Sequence, residues 1–131
     1  MLSHLKVIDL SSVLAGPSVG MFLSELGAKV TKIEHPDHPD VTRSWKLPSE
    51  DKNSSVSAYF SSVNYLKEYI ALDLTMSSDY KSFLKLIETA DILLTNFKSG
   101  DAKKLNISDD FLLTLNPSLI IGKISGYGES S

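Results

Sequence analysis

The spacing of apolar and polar positions changes repeatedly along the chain, and each change marks an element. Val7 to Leu10 is a short apolar run that reads as a strand. A Ser-rich loop follows, and Gly16-Pro17 open a helix, with proline where the first turn loses no hydrogen bond. Val19, Phe22, Leu23 and Leu26 recur at helical spacing and predict its buried stripe. Gly27 stands where a left-handed C-terminal cap belongs, and Lys29 to Glu34 is the next strand.

Beyond Glu34 the pattern breaks. His35 to Ser57 is long, polar and rich in Pro, Asp and Ser, the profile of a functional or disordered loop. Tyr59 to Val63 is short and aromatic, and Tyr69 to Leu74 reads as a strand. Thr75 to Ser78 offer N-caps for a helix through about Ala90, with Tyr80, Phe83, Leu84 and Ile87 on its apolar face. Ile92 to Thr95 is a buried strand. Two short helices follow, Ala102 to Leu105 and Ser108 to Leu115, the second with Asp109 and Asp110 in its first turn. Asn116-Pro117 ends it, Leu119 to Ser125 is the last strand, and Gly126-Tyr127-Gly128 is a loop.

Strand and helix thus alternate, which predicts an α/β fold: a Rossmann-like open parallel sheet with flanking helices. About four parallel strands are expected, near residues 6–10, 29–34, 92–95 and 119–124, with the main helices near 17–26 and 77–90. Right-handed crossovers bring the loops after Leu10, Glu34, Thr95 and Ser125 to one edge, where such sheets bind ligands. The last strand ends close to Ser131 with no following helix. The expectation is therefore an incomplete domain.

Composition narrows the functional classes. The 131 residues carry a net charge of −3, with 42% hydrophobic and 22% charged positions, as in an ordinary globular domain. That balance argues against a nucleic-acid partner. The absence of cysteine removes disulfides, thiolate metal sites and a cysteine nucleophile. No apolar run reaches membrane-spanning length, so no membrane role is expected. The first strand begins by about Leu5 and leaves no room for a leader, so a cytoplasmic location is expected, or a mitochondrial one if a leader has been trimmed.

Residues with chemical potential gather at the strand ends. Ser11 to Gly16 precedes a helix N-terminus, which favours anions, but only Gly16 and Gly20 of a dinucleotide glycine pattern are present. Glu34 occupies the place of a ribose-binding acid, although a single strand-end acid is more commonly a solvated terminus. Asn96-Phe97-Lys98-Ser99-Gly100, with Lys103 and Lys104 beyond, offers an amide, an aromatic face and ammonium groups suited to a purine with phosphates. The same residues also fit a plain strand-end cap with surface lysines. His4, His35 and His38 form no metal set, and no metal is expected. Asp9 and Asp73 read as structural acids bonding loop amides.

In combination, these segments resemble the N-terminal part of the class III CoA-transferases, the family of formyl-CoA, carnitine and succinate-dependent CoA-transferases and the related alpha-methylacyl-CoA racemases. The matching pieces are Val7-Ile8-Asp9-Leu10, Val13-Leu14-Ala15-Gly16-Pro17, Leu26-Gly27-Ala28-Lys29-Val30, Lys32-Ile33-Glu34, Asp40-Val41-Thr42-Arg43, Ile70-Ala71-Leu72-Asp73-Leu74, Ala90-Asp91-Ile92-Leu93, Asn96-Phe97, Asn116-Pro117 and Ser125-Gly126-Tyr127-Gly128. They occur in family order along the whole chain. The resemblance implies transfer of CoA between an acyl-CoA thioester and a small carboxylic acid. It proceeds through an aspartyl anhydride and an aspartyl-CoA thioester, with backbone amides stabilising the oxyanions. It also implies a homodimer of interlocked full-length chains.

Carried over by position, the resemblance implies that coenzyme A meets Val13, Leu14, His35, Leu72, Thr75, Asn96, Phe97 and Lys104. His35 stands where the family often has arginine or proline. Lys104 replaces a common arginine, keeping the charge and losing the bidentate fork. Leu14 replaces the glutamine of the oxalate/formate branch, which argues against that substrate pair. Asn64-Tyr65-Leu66-Lys67-Glu68-Tyr69 departs from the usual Asn-Arg-x-Lys-Arg/Lys-Ser, Thr95 replaces a usual glutamate, and Ser99 a usual proline. The nucleophilic aspartate lies downstream of Ser131 in the family, so the chain alone is expected to be inactive. A degenerate nucleotide- or CoA-binding module, or part of an acyl-CoA racemase, remains an alternative reading.

Overall fold

The computed structural model describes residues 1–128. Five parallel strands form one sheet in the order β3-β2-β1-β4-β5. They are β1 (Lys6–Asp9), β2 (Lys29–Glu34), β3 (Glu68–Ala71), β4 (Ile92–Thr95) and β5 (Ile120–Lys123). The connecting helices are α1 (Ala15–Glu25), α2 (Ala58–Ser62), α3 (Ser77–Thr89), α4 (Asp101–Lys104) and α5 (Asp109–Leu115). The α/β parallel architecture is as the alternation predicts, with one more strand than the four expected. The fifth, β3, begins one residue before the Tyr69–Leu74 run that reads as a strand and joins the sheet beside β2 at its edge, Ile70 lying opposite Ile33.

The two-residue period of the strands builds two cores. Ile8, Ile33 and Leu93 face one side, where they meet Phe83 and Ile87 of α3 and Leu112 of α5. Val7, Val30 and Leu94 face the other, beneath Leu23 of α1. Both faces are covered, as a parallel sheet requires. The helix C-terminus at Gly27 takes φ 103° and closes as a Schellman motif, with Gly27 N–H bonding Ser24 O and Ala28 N–H bonding Leu23 O.

The expected stripe of α1 is corrected by the structure. Val19 and Phe22 are exposed, Phe22 by 61%, while Gly16, Pro17, Gly20 and Met21 are buried. Small residues face inward because the helix lies against β1: a Cβ on Gly16 would collide with the Ser11 side chain, and one on Gly20 would stand 2.9 Å from Asp9 Oδ2. The 35–57 stretch is also ordered. Asp40 caps a 3₁₀ turn over Val41–Ser44, Thr42 is fully buried, and Trp45 meets Tyr59 edge-on at 5.3 Å. The aromatic Tyr59 region is helical (α2), capped by Ser57 Oγ.

This packing has a measurable signature. Met21→Ala should lower the unfolding free energy by about 2–5 kcal/mol, whereas Phe22→Ala should change it by no more than about 0.5 kcal/mol. Urea unfolding of the two variants checks the assignment, and the reverse order would restore the stripe centred on Val19 and Phe22.

Candidate functional site

The site is built on the carboxyl ends of the strands, and buried charge shapes it. Asp9, the last residue of β1, is wholly buried. Its Oδ1 accepts from the amide (2.9 Å) and the hydroxyl of Ser11, and its Oδ2 accepts from Lys67 Nζ at 2.7 Å. Lys67 also donates to Pro17 O (2.9 Å) and Asn64 Oδ1 (2.8 Å), so all three ammonium protons are used. Burial pulls the Lys67 ammonium below its ordinary pKa despite the opposing Asp9 charge.

A second buried pair lies beside the first. Lys32 Nζ donates to Asp40 Oδ2 and to Ser11 O, each at 3.0 Å. Asp40 Oδ1 accepts from Thr42 N–H (3.1 Å) and Thr42 Oγ1 (2.8 Å). Burial pushes the Asp40 carboxyl up, but the Lys32 charge and the Thr42 hydrogen bonds outweigh it and hold the pKa below the ordinary carboxylate value. The Val13 amide reaches both Asp40 oxygens, at 3.2 and 3.3 Å. Val13 has φ 72°, a left-handed conformation that a β-branched residue adopts at a cost on the order of 1–3 kcal/mol. One residue earlier, Asn96 pins Ser12 from both sides: Ser12 N–H donates to Oδ1 (3.1 Å), and Nδ2 donates to Ser12 O (2.7 Å).

Glu34 is neither a solvated terminus nor free to bind a ribose. Arg43 grips it bidentately, at 2.9 and 2.7 Å, and stacks its guanidinium 3.8 Å from the Phe60 ring centre. His35 is more than a solvated loop histidine. Its Nδ1 accepts from the amides of Asp37 (3.0 Å) and His38 (3.2 Å), which leaves Nε2, 3.3 Å from Asp73 Oδ2, to carry the proton. Asp73 in turn bonds the Thr75 amide (2.9 Å) and hydroxyl (2.6 Å), so its strand-end role is as expected.

Four of the sequence-predicted residues meet in one place. His35, Leu72, Thr75 and Phe97 line a cavity of about 170 Å³, with Leu10 and Ile33 among its other walls. Lys104 lines an adjoining hollow of about 390 Å³ that shares Leu74, Thr75 and Leu105 with the first and includes Tyr80. Val13 and Leu14 lie outside both, on the β1–α1 loop, with Leu14 exposed. Asn96 spends its amide on that loop. Lys32, Asp40, Arg43 and Lys67 hold the strand-end loops together, roles that the family resemblance does not assign them. The signal for Lys32 is a charge inside an apolar strand and that for Asp40 the Asp-x-Thr pattern of a capped turn, whereas nothing local marks Arg43 or Lys67. Among the described residues, no three His, Cys, Asp or Glu converge as a metal set, and no helix is long and apolar enough to cross a membrane.

The sequence matches CoA-transferase family III over residues 2–131. The chain belongs to that family. It is 38% identical over 128 residues to the succinyl-CoA:mesaconate CoA-transferase of Haloarcula hispanica, covering 98% of this chain and 32% of that protein. It is 37% identical over 132 residues to the succinate–glutarate CoA-transferase of Agrobacterium fabrum, covering 98% and 33%. A crystal structure of a CAIB/BAIF family protein from Brucella suis superposes with a TM-score of 0.89 at 36% identity, covering 97% of this chain and 34% of that one. The chain spans about a third of the length of the curated relatives it matches.

Two measurements test the buried charges. Lys67→Met strands the Asp9 carboxylate and should destabilise the family III chain by about 3–5 kcal/mol in urea unfolding, with much of the loss recovered when Asp9→Asn is added. Asp40 has a lower pKa folded than unfolded, so its contribution is complete above the unfolded value of about 3.9 and is lost as pH falls through the folded value. The thermal midpoint should therefore drop below about pH 4, and less steeply once Lys32→Met and Asp40→Ala remove the pair.

Proposed function

We propose that residues 1–131 form the N-terminal, CoA-binding Rossmann-like segment of a CoA-transferase that moves CoA between an acyl-CoA thioester and a small carboxylic acid. The observation that carries this reading is the convergence of His35, Leu72, Thr75 and Phe97 on one mostly apolar cavity at the strand ends, next to the hollow that holds Lys104. An adenine fits the first, with Phe97 as its aromatic face. A phosphate fits the second, where Lys104 is exposed and paired with Asp101 only at 3.9 Å, so that its ammonium can turn toward the ligand. Val13 and Leu14 present the loop along which the rest of the cofactor runs, and Asn96 acts through that loop.

The relatives carry names that pair succinyl-CoA with mesaconate and succinate with glutarate, which supports a small dicarboxylate as the acid. The nucleophilic aspartate belongs, on this reading, to sequence that the relatives carry outside the matched third, and the working enzyme is a homodimer. The altered Asn64–Tyr69 stretch gives little support to the reading as a degenerate module. The substituted positions of the Asn64–Tyr69 stretch, Tyr65, Glu68 and Tyr69, are all exposed, whereas the side chains of Asn64 and Lys67, which fit the pattern, are enclosed and bonded to each other.

Calorimetric titration of CoA into the intact chain tests the site. Phe97→Ala should weaken binding by about tenfold, the loss of one base–aromatic stack, and Lys104→Ala by about two- to fivefold, the worth of an exposed ion pair. Unchanged affinity in both variants would move the site elsewhere. Incubation with succinyl-CoA and a panel of dicarboxylates should yield no new acyl-CoA by mass spectrometry. Turnover abolished by replacing an aspartate within this chain would overturn the placement of the nucleophile.

A further inference from the structure

The β1–α1 loop is forced into its shape from beneath. Val13 is β-branched and disfavours its φ of 72°, so its surroundings must impose that conformation. Asp40 does so with both oxygens on the Val13 amide, at 3.2 and 3.3 Å. Lys32 reinforces the hold, since its ammonium binds both Asp40 Oδ2 and the carbonyl of Ser11, two residues before Val13. The Lys32 and Asp40 side chains are 2% and 0% exposed and line neither the cavity beside Phe97 nor the hollow beside Lys104. Leu14, immediately after the strained residue, is 48% exposed and begins α1 with no side-chain cap.

We infer that the Lys32–Asp40 pair is a positioning clamp for CoA binding: it holds Val13 left-handed and so sets the loop that carries Leu14, without touching ligand itself. The binding half of this inference rests on the CoA reading above; the conformational half does not. A purely structural ion pair would not need to reach across to the Val13 amide, because Asp40 already caps its own turn through Thr42. A glycine at position 13 would take the same backbone conformation without strain, and this gives the clamp a specific test.

The clamp is removed as K32M/D40A, which leaves no buried charge unpaired. In isotope-labelled chain without ligand, backbone scalar couplings sensitive to the sign of φ should show Val13 left-handed in the wild type and extended in K32M/D40A. Calorimetry should show CoA binding about tenfold weaker in K32M/D40A than in the wild type. In the V13G background, the same removal should change CoA affinity by less than about twofold, because the loop no longer needs to be forced. A milder variant, T42V, removes one hydrogen bond to Asp40 and should move affinity in the same direction by less; it runs the same cycle should K32M/D40A not fold. Val13 remaining left-handed without the clamp, or an equal loss of affinity in the V13G background, would overturn the proposal. A wild-type chain that binds no CoA would refute the ligand reading instead, and the couplings would then decide the clamp alone.

Discussion

Two ammonium groups enclosed within this domain, Lys67 and Lys32, fix the placement of everything at the strand ends. A buried cation is tolerated only where its charge is matched and each of its protons has an acceptor. Lys67 finds these on three separate pieces of chain: the end of β1 at Asp9, the first turn of α1 at Pro17, and the turn at Asn64. Lys32 ties the end of β2 to the β1–α1 loop and to the turn at Asp40. Removing either lysine leaves a carboxylate without compensation in a region of low dielectric. The two pairs therefore add little net stability and instead specify one arrangement of several loops that have few other reasons to meet.

The glycines of α1 follow from this constraint. Lys67 can reach Asp9 and Pro17 O only if the helix lies almost on the strand, and Gly16 and Gly20 permit that approach. Phe22 and Val19 are then turned away from the sheet and stand exposed, while Met21 and Leu23 keep apolar contact beside the glycines. On the opposite face nothing charged intervenes, and Phe83, Ile87, Leu93 and Leu112 form a conventional apolar core. One face thus combines the ion pairs with a smaller apolar core around Val7, Val30 and Leu94, and the other rests on hydrophobic burial alone.

This division explains which parts of the fold were legible in the sequence. Strands, α3 and the Gly27 cap follow local rules of periodicity and backbone freedom, and they appear within a few residues of where those rules put them. The face of α1 was misread because helical spacing alone ranks Val19 and Phe22 as core, and the competing demand from Asp9 and Lys67 comes from a residue 58 positions away. The order within 35–57 was hidden for the same reason. Its polar residues look solvated in sequence, yet Asp40, Thr42 and Arg43 are held by Lys32, Ser57 and Glu34 through contacts that no local pattern encodes. For the candidate site, the resemblance brought His35, Leu72, Thr75 and Phe97 to one cavity. It implies Asn96 beside them as a ligand contact, while the structure gives that amide to the loop.

The distinction between residues that build the loop and residues that face its cavity also orders the departures from the family pattern. Asn64 and Lys67 fit the pattern that the resemblance implies and are the ones whose loss would strand a buried group. Tyr65, Leu66, Glu68 and Tyr69 lie at the surface, Glu68 paired only loosely with Lys29 at 3.7 Å. His35 and Leu14 differ in kind, because each occupies a strand-end loop without belonging to either ion pair. His35 fixes its own loop by accepting two amides at Nδ1 and turns Nε2 toward Asp73, at the wall of the cavity. Leu14 projects from a loop whose shape is set by Asp40 and Asn96. Neither belongs to a buried ion pair, so a substitution at either position leaves the charges of Lys32, Asp40, Lys67 and Asp9 matched.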